Sequence, residues 1–326
     1  MRATRDAPAF FVFISFFPQL VAGPIERSTN LLPQFLRKST FNYAEAVSGM
    51  KLILWGLFKK MVVADNAAPV VDNIFGSFET AGTLNLWLGA VLFTFQIYCD
   101  FSGYSDIAIG VGRLFGIGLR RNFDRPYFAT SIHDFWKRWH ISLTSWFRDY
   151  VYIPLGGNRK GRARTIANTM AVFLVSGLWH GANYTFIAWG GYHALLYVPH
   201  VLRGKRKRSK PASGLKLSMA MGVTFLLVML GWILFRANHL SEAFHYIGLM
   251  FCCYSPSVPI QGKMALLWCL IMTSAEWSCR KGETPFDFRQ GLAYRSRPVI
   301  WGIYAVVFVV TLIFAGTSEQ FIYFQF

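Results

Sequence analysis

The chain has 326 residues, of which 54% are hydrophobic, 17% aromatic and only 15% charged. That is more apolar surface than a water-soluble fold of this length needs, which excludes an ordinary soluble domain and places the chain in a bilayer. The formal charge of +17 comes from 33 Lys and Arg against 16 Asp and Glu, and because the basic residues sit between long apolar runs they read as cytoplasmic loops, not as a nucleic-acid surface.

A bilayer core of about 30 Å takes about 20 apolar helical residues, so uncharged runs are the signal to follow. The N-terminal MRATR and the apolar AFFVFISFF have the charge and hydropathy order of a signal peptide. Pro18, Pro24 and Glu26 follow where a small-residue cleavage site belongs, so the stretch reads as an internal segment. Ala44 to Val63 carries Lys51, Lys59 and Lys60 on an otherwise apolar stretch, which fits an interfacial or short helix better than a clean span. Thr83 to Tyr98 is a span. Beyond it, Asp100, Ser102, Ser105 and Asp106 form a polar cluster suited either to a proton or substrate path or to structural pairs with Arg113 and Arg121; the structural role is the expectation.

Arg120 to Arg164 holds ten Lys and Arg and three Asp, mixed with Trp and Phe at helical spacing. This predicts an amphipathic or re-entrant helix at the inner interface, with Asp134 and Arg138 placed for an i,i+4 pair. Thr165 to Leu202 has no Asp, Glu, Lys or Arg and is flanked by basic residues on both sides, which predicts a hairpin of two spans turning near Gly177 to Asn183. Leu217 to Phe235 and Val299 to Thr317 are further spans, and Met264 to Cys279 a weaker one carrying Glu276. Arg203 to Lys216, with seven Lys and Arg and no acid, and Arg280 to Arg297, with five against two acids, are expected in the cytoplasm. Asn238 to Gly262 and the terminal SEQFIYFQF are expected outside. Cys99, Cys252, Cys253, Cys269 and Cys279 show no CxxC or Cys/His spacing, so neither a disulfide framework nor a metal site is expected.

Two histidines stand out. His180, in SGLWHGAN, falls at the turn of the predicted hairpin, at or below the edge of the hydrocarbon. An ionisable side chain there is costly and marks a functional site by default. Against this, Gly177 and Gly181 form a GxxxG spacing that serves close helix packing by itself. His140, in KRWHISLTSWFRDY, would share a helical stripe with Trp136, Thr144 and Phe147, either as a catalytic group or as part of an interfacial aromatic belt.

Four stretches in this order resemble the membrane-bound O-acyltransferase (MBOAT) family: FFPQLVAGPIERSTNLLPQF (Phe16 to Phe35), QIYCDFSGYSDIAIGVGRLFGI (Gln96 to Ile117), FWKRWHISLTSWFRDYVYIPLGGNRKG (Phe135 to Gly161) and SGLWHGANYTFIAWGGYHALL (Ser176 to Leu196). They are similar to its bacterial alginate O-acetyltransferase AlgI-like branch and to related peptidoglycan O-acetyltransferases, and the resemblance runs from Phe10 to the terminal FIYFQF. The fold it implies is all-α: a polytopic integral membrane protein, an MBOAT-type helical bundle with amphipathic or re-entrant cytoplasmic helices. Residues 1–326 would form one domain without the family's N-terminal transmembrane segments, weakly active or inactive alone.

The implied activity moves an acetyl group from a cytoplasmic donor, acetyl-CoA or another acyl thioester, to hydroxyls of an envelope or exported polysaccharide at the bacterial inner membrane. Peptidoglycan O-acetylation is an alternative. So is D-alanyl transfer to teichoic acid, the less favoured because that branch lacks a match to YIPLGGNRKG. No bound cofactor or metal is implied, and no residue is assigned to donor binding. The resemblance places the family's recurrent histidines on His180 and His140. A hydroxyl is a poor nucleophile until deprotonated, a histidine with pKa near ~6.5 suits that task, and burial keeps the ring neutral. His180 is therefore the expected base, with His140 positioning the donor or assisting. The resemblance implies an envelope-side acetyltransferase or esterase-like partner that completes transfer, and no GxSxG nucleophile elbow of the kind such a partner would carry occurs in the chain. The rivals from other classes are a transporter using His180 and Asp100 as relay groups, and an inactive scaffold subunit.

Overall fold

The computed structural model describes residues 4–38, 40–204, 213–252, 262–280, 282–286, 296–316 and 321–322. Residues 205–212 of the loop expected at 203–216, residues 253–261 of the segment expected outside at 238–262, much of 280–297 and most of the C-terminal nine residues lie outside the described residues, while most of the rest of 238–262 is helix. Those that are described are helical or irregular, with no strand among them. Two helices are long and apolar enough to cross a membrane by length and composition, Thr83–Leu114 and Leu215–Arg236, while Ala7–Gln19 and Arg297–Ile313 are shorter apolar stretches.

The chain divides into two compact units, the first comprising Met1–Pro69, Phe95–Asn122 and Gly262–Gln325. It holds α1 (Ala7–Ser15), α2 (Ser28–Phe35), α3 (Tyr43–Leu57), the start of α4 (Asp65–Gly76) and the C-terminal half of α5 (Thr83–Leu114). α12 (Lys263–Ser278) and α13 (Arg297–Ile313) also belong to it. The span read as Thr83 to Tyr98 is thus half of a 32-residue helix, because the polar cluster that seemed to end it is neutralised within the unit.

Glycines set how closely α3 and α5 meet. A Cβ on Gly49 would lie 2.6 Å from the Gly110 carbonyl oxygen, and one on Gly56 2.5 Å from that of Gly103. Both pairs repeat at seven residues, so the helices run antiparallel in backbone contact. At the end of α3 the backbone widens into a π-turn, Phe58–Ala64, and its lysines reach α5. Lys59 Nζ lies 2.7 Å from Asp106 and donates to Ser102 Oγ at 2.8 Å. Lys60 Nζ lies 2.7 Å from both Asp65 and Asp100. Asp100 also accepts from the Ile322 backbone N–H at 2.7 Å. Lys59 and Lys60 therefore face carboxylates within the unit, and α3, 15 residues long, is the short helix of the two alternatives that the sequence offered. Asp100 and Asp106 pair with these lysines and not with Arg113, which binds Glu283 at 2.5 Å. The structural role expected for the cluster holds with different partners.

The second unit comprises Val70–Thr94 and Phe123–Gln261. It contains α6 (Ile132–Trp136), α7 (Ile141–Phe147), α8 (Gly161–His180), α9 (Tyr184–Arg203), α10 (Leu215–Arg236) and α11 (Leu240–Cys252). α8 and α9 form the expected hairpin, turning over Gly181 to Asn183. Asn183 caps α9 by accepting from the Thr185 N–H at 3.1 Å, and its amide donates to the Asn238 carbonyl at 3.0 Å. The helices touch at backbone distance: a Cβ on Gly177 would lie 2.3 Å from the Phe186 carbonyl oxygen, and one on Gly190 2.3 Å from that of Phe173. The packing role of Gly177 is therefore real and coexists with whatever His180 does. The amphipathic or re-entrant helix expected within Arg120 to Arg164, over 134–157, is broken into shorter pieces instead. α6 ends at Trp136, α7 begins at Ile141, and a π-turn follows at Arg148–Tyr152. The expected Asp134–Arg138 pair forms, with Nε 3.0 Å from Oδ1.

Candidate active site

His140 and His180 come together in the second unit. His180 is the last residue of α8, its ring 5.0 Å from Trp179, 5.3 Å from Trp189 and 5.1 Å from Phe235 between centroids. His140 is buried at the N-terminal edge of α7, 6.3 Å from Trp179 and 6.3 Å from Phe123. Both imidazoles thus stand against Trp179. Burial first, and the charge His180 would carry second, push the His140 pKa down to about 3. It is a neutral acceptor or donor throughout the physiological range.

The helix break places it there. His140 has φ 42° and ψ 54°, the left-handed region that residues with a Cβ seldom adopt. Had the helix run on through 137–140, His140 would share one stripe with Trp136 and Thr144. Instead the chain turns, and the ring enters the aromatic layer.

Beside the pair lies a cavity of about 880 Å³, bordered by α6, α7, α8 and α9. Thr165, Thr169, Val172 and Ser176 line it along one stripe of α8, and His180 stands one turn beyond Ser176. Trp136 and Thr144 line it from the side of His140, whose carbonyl accepts the Thr144 N–H at 2.9 Å. The opposite end carries His133, Lys137, Arg148, Arg162 and His200, and no Asp or Glu lines the cavity among the described residues. A long, partly apolar molecule with an anionic end and a reactive end suits such a shape.

A third histidine was missed in the sequence. His193, in α9, is 0% exposed and surrounded by Trp136 at 5.0 Å, Trp189 at 5.2 Å and Trp232 at 6.4 Å. Its ring nitrogens and the three indole N–H groups have no hydrogen-bond partner among the described residues. The perpendicular packing on Trp136 makes an N–H to ring-face contact a partial substitute. The signal was available: an ionisable residue in an uncharged predicted span is the argument that singled out His180. The cavity and its basic end had no sequence signal, since their residues come from four separate elements.

Similarity to known proteins points the same way. The chain is 42% identical over 249 residues to the probable alginate O-acetylase AlgI of Pseudomonas putida, covering 76% of this chain and 50% of that protein. It is 43% identical over 250 residues to the probable alginate O-acetylase AlgI of Azotobacter vinelandii, covering 76% and 49%. To the peptidoglycan O-acetyltransferase of Helicobacter pylori it is 42% identical over 236 residues, covering 72% and 45%. The chain spans about half the length of these curated relatives. The family model described as MBOAT, membrane-bound O-acyltransferase family, matches residues 2–202, which include every residue of the histidine pair and most of the cavity wall. The chain belongs to the membrane-bound O-acyltransferase family.

Proposed function

We propose that this chain is the acyl-transferring part of a multi-pass protein of the bacterial inner membrane, moving acetyl from a cytoplasmic thioester to a hydroxyl of an envelope or exported polysaccharide. The observation that carries this reading is the meeting of His140 and His180 beyond one end of an acid-free cavity whose other end is basic. The donor, acetyl-CoA or another acyl thioester, lies along the cavity with its acyl group near Ser176. His180 takes the proton of the acceptor hydroxyl as the oxygen attacks the thioester carbonyl. The C–S bond breaks, and the departing thiolate takes that proton back from His180, leaving an ester and a thiol. General base assistance of this kind is typically worth ~10²-fold or more. His140, neutral and fixed against the same tryptophan, positions the donor or assists.

The relatives' names support a hydroxyl-rich envelope polymer as acceptor, with an alginate-like polysaccharide as the first reading. Peptidoglycan is the second, favoured by the 42% identity to the Helicobacter pylori protein. The donor is cytoplasmic and the polymer outside, so the acyl group must cross about 30 Å of hydrocarbon, which favours an envelope-side esterase-like partner for the last transfer. The test is reconstitution of the full-length protein with labelled acetyl donor and either polymer, with and without the partner. Label should reach the polymer efficiently only with the partner. Efficient acetylation by this protein alone would remove the relay, and no thioester consumption in any arm would refute acyl transfer.

A further inference from the structure

The basic end of the cavity has its own architecture. His133, on α6, stacks face to face on His200, on α9, with centroids 3.6 Å apart and planes 12° from parallel. The Nδ1 of His133 is 2.5 Å from the Tyr197 hydroxyl, which fixes its ring. Lys137 stands one turn beyond His133, and Arg162 borders the cavity from the first turn of α8. Neither Lys137 nor Arg162 has an acidic partner among the described residues, whereas Arg148 is held by Asp149 at 2.9 Å. Stacked imidazoles beside unneutralised cations repel one another as they gain charge, an arrangement that an anion relieves.

We infer that His133, His200, Lys137 and Arg162 form an anion subsite for the phosphate ester of the thioester donor. The inference rests on the proposed acyl transfer for the thioester but not for the anion. Length supports it. Because Gly177 faces Phe186 and Gly190 faces Phe173, His200 stands level with the first turn of α8, ~20 Å from Ser176 at 1.5 Å per residue. A phosphopantetheine arm of about thirteen bonds extends roughly 16 Å from phosphorus to sulfur, and the acyl group adds ~3 Å. A phosphate at the histidine stack therefore leaves the acyl carbonyl beside Ser176, one turn from His180.

The site also couples phosphate to protons. Burial, then His200 and Lys137, hold the His133 pKa down to about 4, with Asp134 acting in the opposite direction but paired to Arg138. The other titratable or charged groups facing the stack are Tyr197, Tyr152, Arg148 and Arg162. A bound phosphate favours imidazolium, so it draws protons onto the pair, and donor affinity strengthens as pH falls.

The experiment uses the full chain in nanodiscs and two synthetic probes, S-acetyl-phosphopantetheine and S-acetyl-pantetheine. The phosphorylated probe should bind at least ~tenfold tighter, the worth of one charge-assisted hydrogen bond, and the ratio should grow as pH falls. Inorganic phosphate should compete with it and not with the other. His133→Gln with His200→Gln should compress the ratio towards one, and Lys137→Gln should reduce it in part. Competition by adenosine 3′,5′-bisphosphate would mark a free coenzyme as the source, and its absence a carrier-borne arm; the subsite stands in both cases. Equal binding of the two probes by the unaltered chain would overturn the inference without any variant. If the acyl-transfer reading alone fails, the binding ratio persists while neither probe is consumed.

Discussion

His140 and Arg125 are the two non-glycine residues with positive φ among those described. A left-handed residue costs roughly 1–2 kcal/mol, a strain that persists where surrounding structure imposes it and that clusters at functional sites. Its protonation adds a testable consequence. Folded His140 has a pKa of about 3, and the unfolded side chain titrates near ~6.5. The unfolded state therefore binds the extra proton first. The stability contributed by keeping this ring neutral is complete above about pH 6.5 and is lost progressively as pH falls towards 3. His140→Asn, which keeps a residue tolerant of the left-handed region, should flatten the fall in thermal midpoint between about pH 7.5 and 5, the readout being melting of purified protein at several pH values. An unchanged slope would show that His140 is not buried and neutral. His140 was a candidate in the sequence through the resemblance of its RWH motif to the family, its aromatic neighbourhood alone favouring an interfacial belt, but its backbone strain was not legible, because a helical stripe and a helix break have the same local composition there.

Among elements, the hairpin was the most legible, since an uncharged stretch between two basic flanks has few other solutions in a membrane. Its turn, expected near Gly177 to Asn183, falls at Gly181 to Asn183. α3 and α5 were less legible, because lysines and aspartates that look incompatible with spans become compatible once each finds the other, and pairing across 40 residues leaves no local trace. The glycine contacts make the element scale testable. Gly177→Ala puts a methyl 2.3 Å from the Phe186 carbonyl, whereas Gly248, inside α11, has nothing within 4 Å. Gly177→Ala should destabilise by about 1–3 kcal/mol through overpacking, and Gly248→Ala should be neutral or slightly stabilising through helix propensity. Thermal melting of the two variants side by side measures this. Equal effects would mean that the α8–α9 hairpin is looser than its backbone contact implies.

At the scale of the whole molecule, hydropathy and charge bias pointed to helical membrane character and motif resemblance to the family, but among the described residues two helices meet the length and composition for a span. The two 20-residue helices of the hairpin, α8 and α9, are not among them, Ala7–Gln19 and Arg297–Ile313 are shorter, and α3 runs into a π-turn whose lysines are paired within its unit. The proposed topology is therefore a prediction in its own right. A cysteine introduced at Ser209 should resist impermeant thiol reagents in intact cells and one at Ser257 should react, because Lys and Arg bias alternates that way. The central claim is that His180 is the base for acyl transfer, and its most direct test is thioester-dependent acetyl transfer by the full-length protein in proteoliposomes, unaltered against His180→Ala, with membrane insertion checked in both. The account predicts insertion unchanged and transfer reduced by at least ~10²-fold; a variant retaining more than about a tenth of the activity would contradict it.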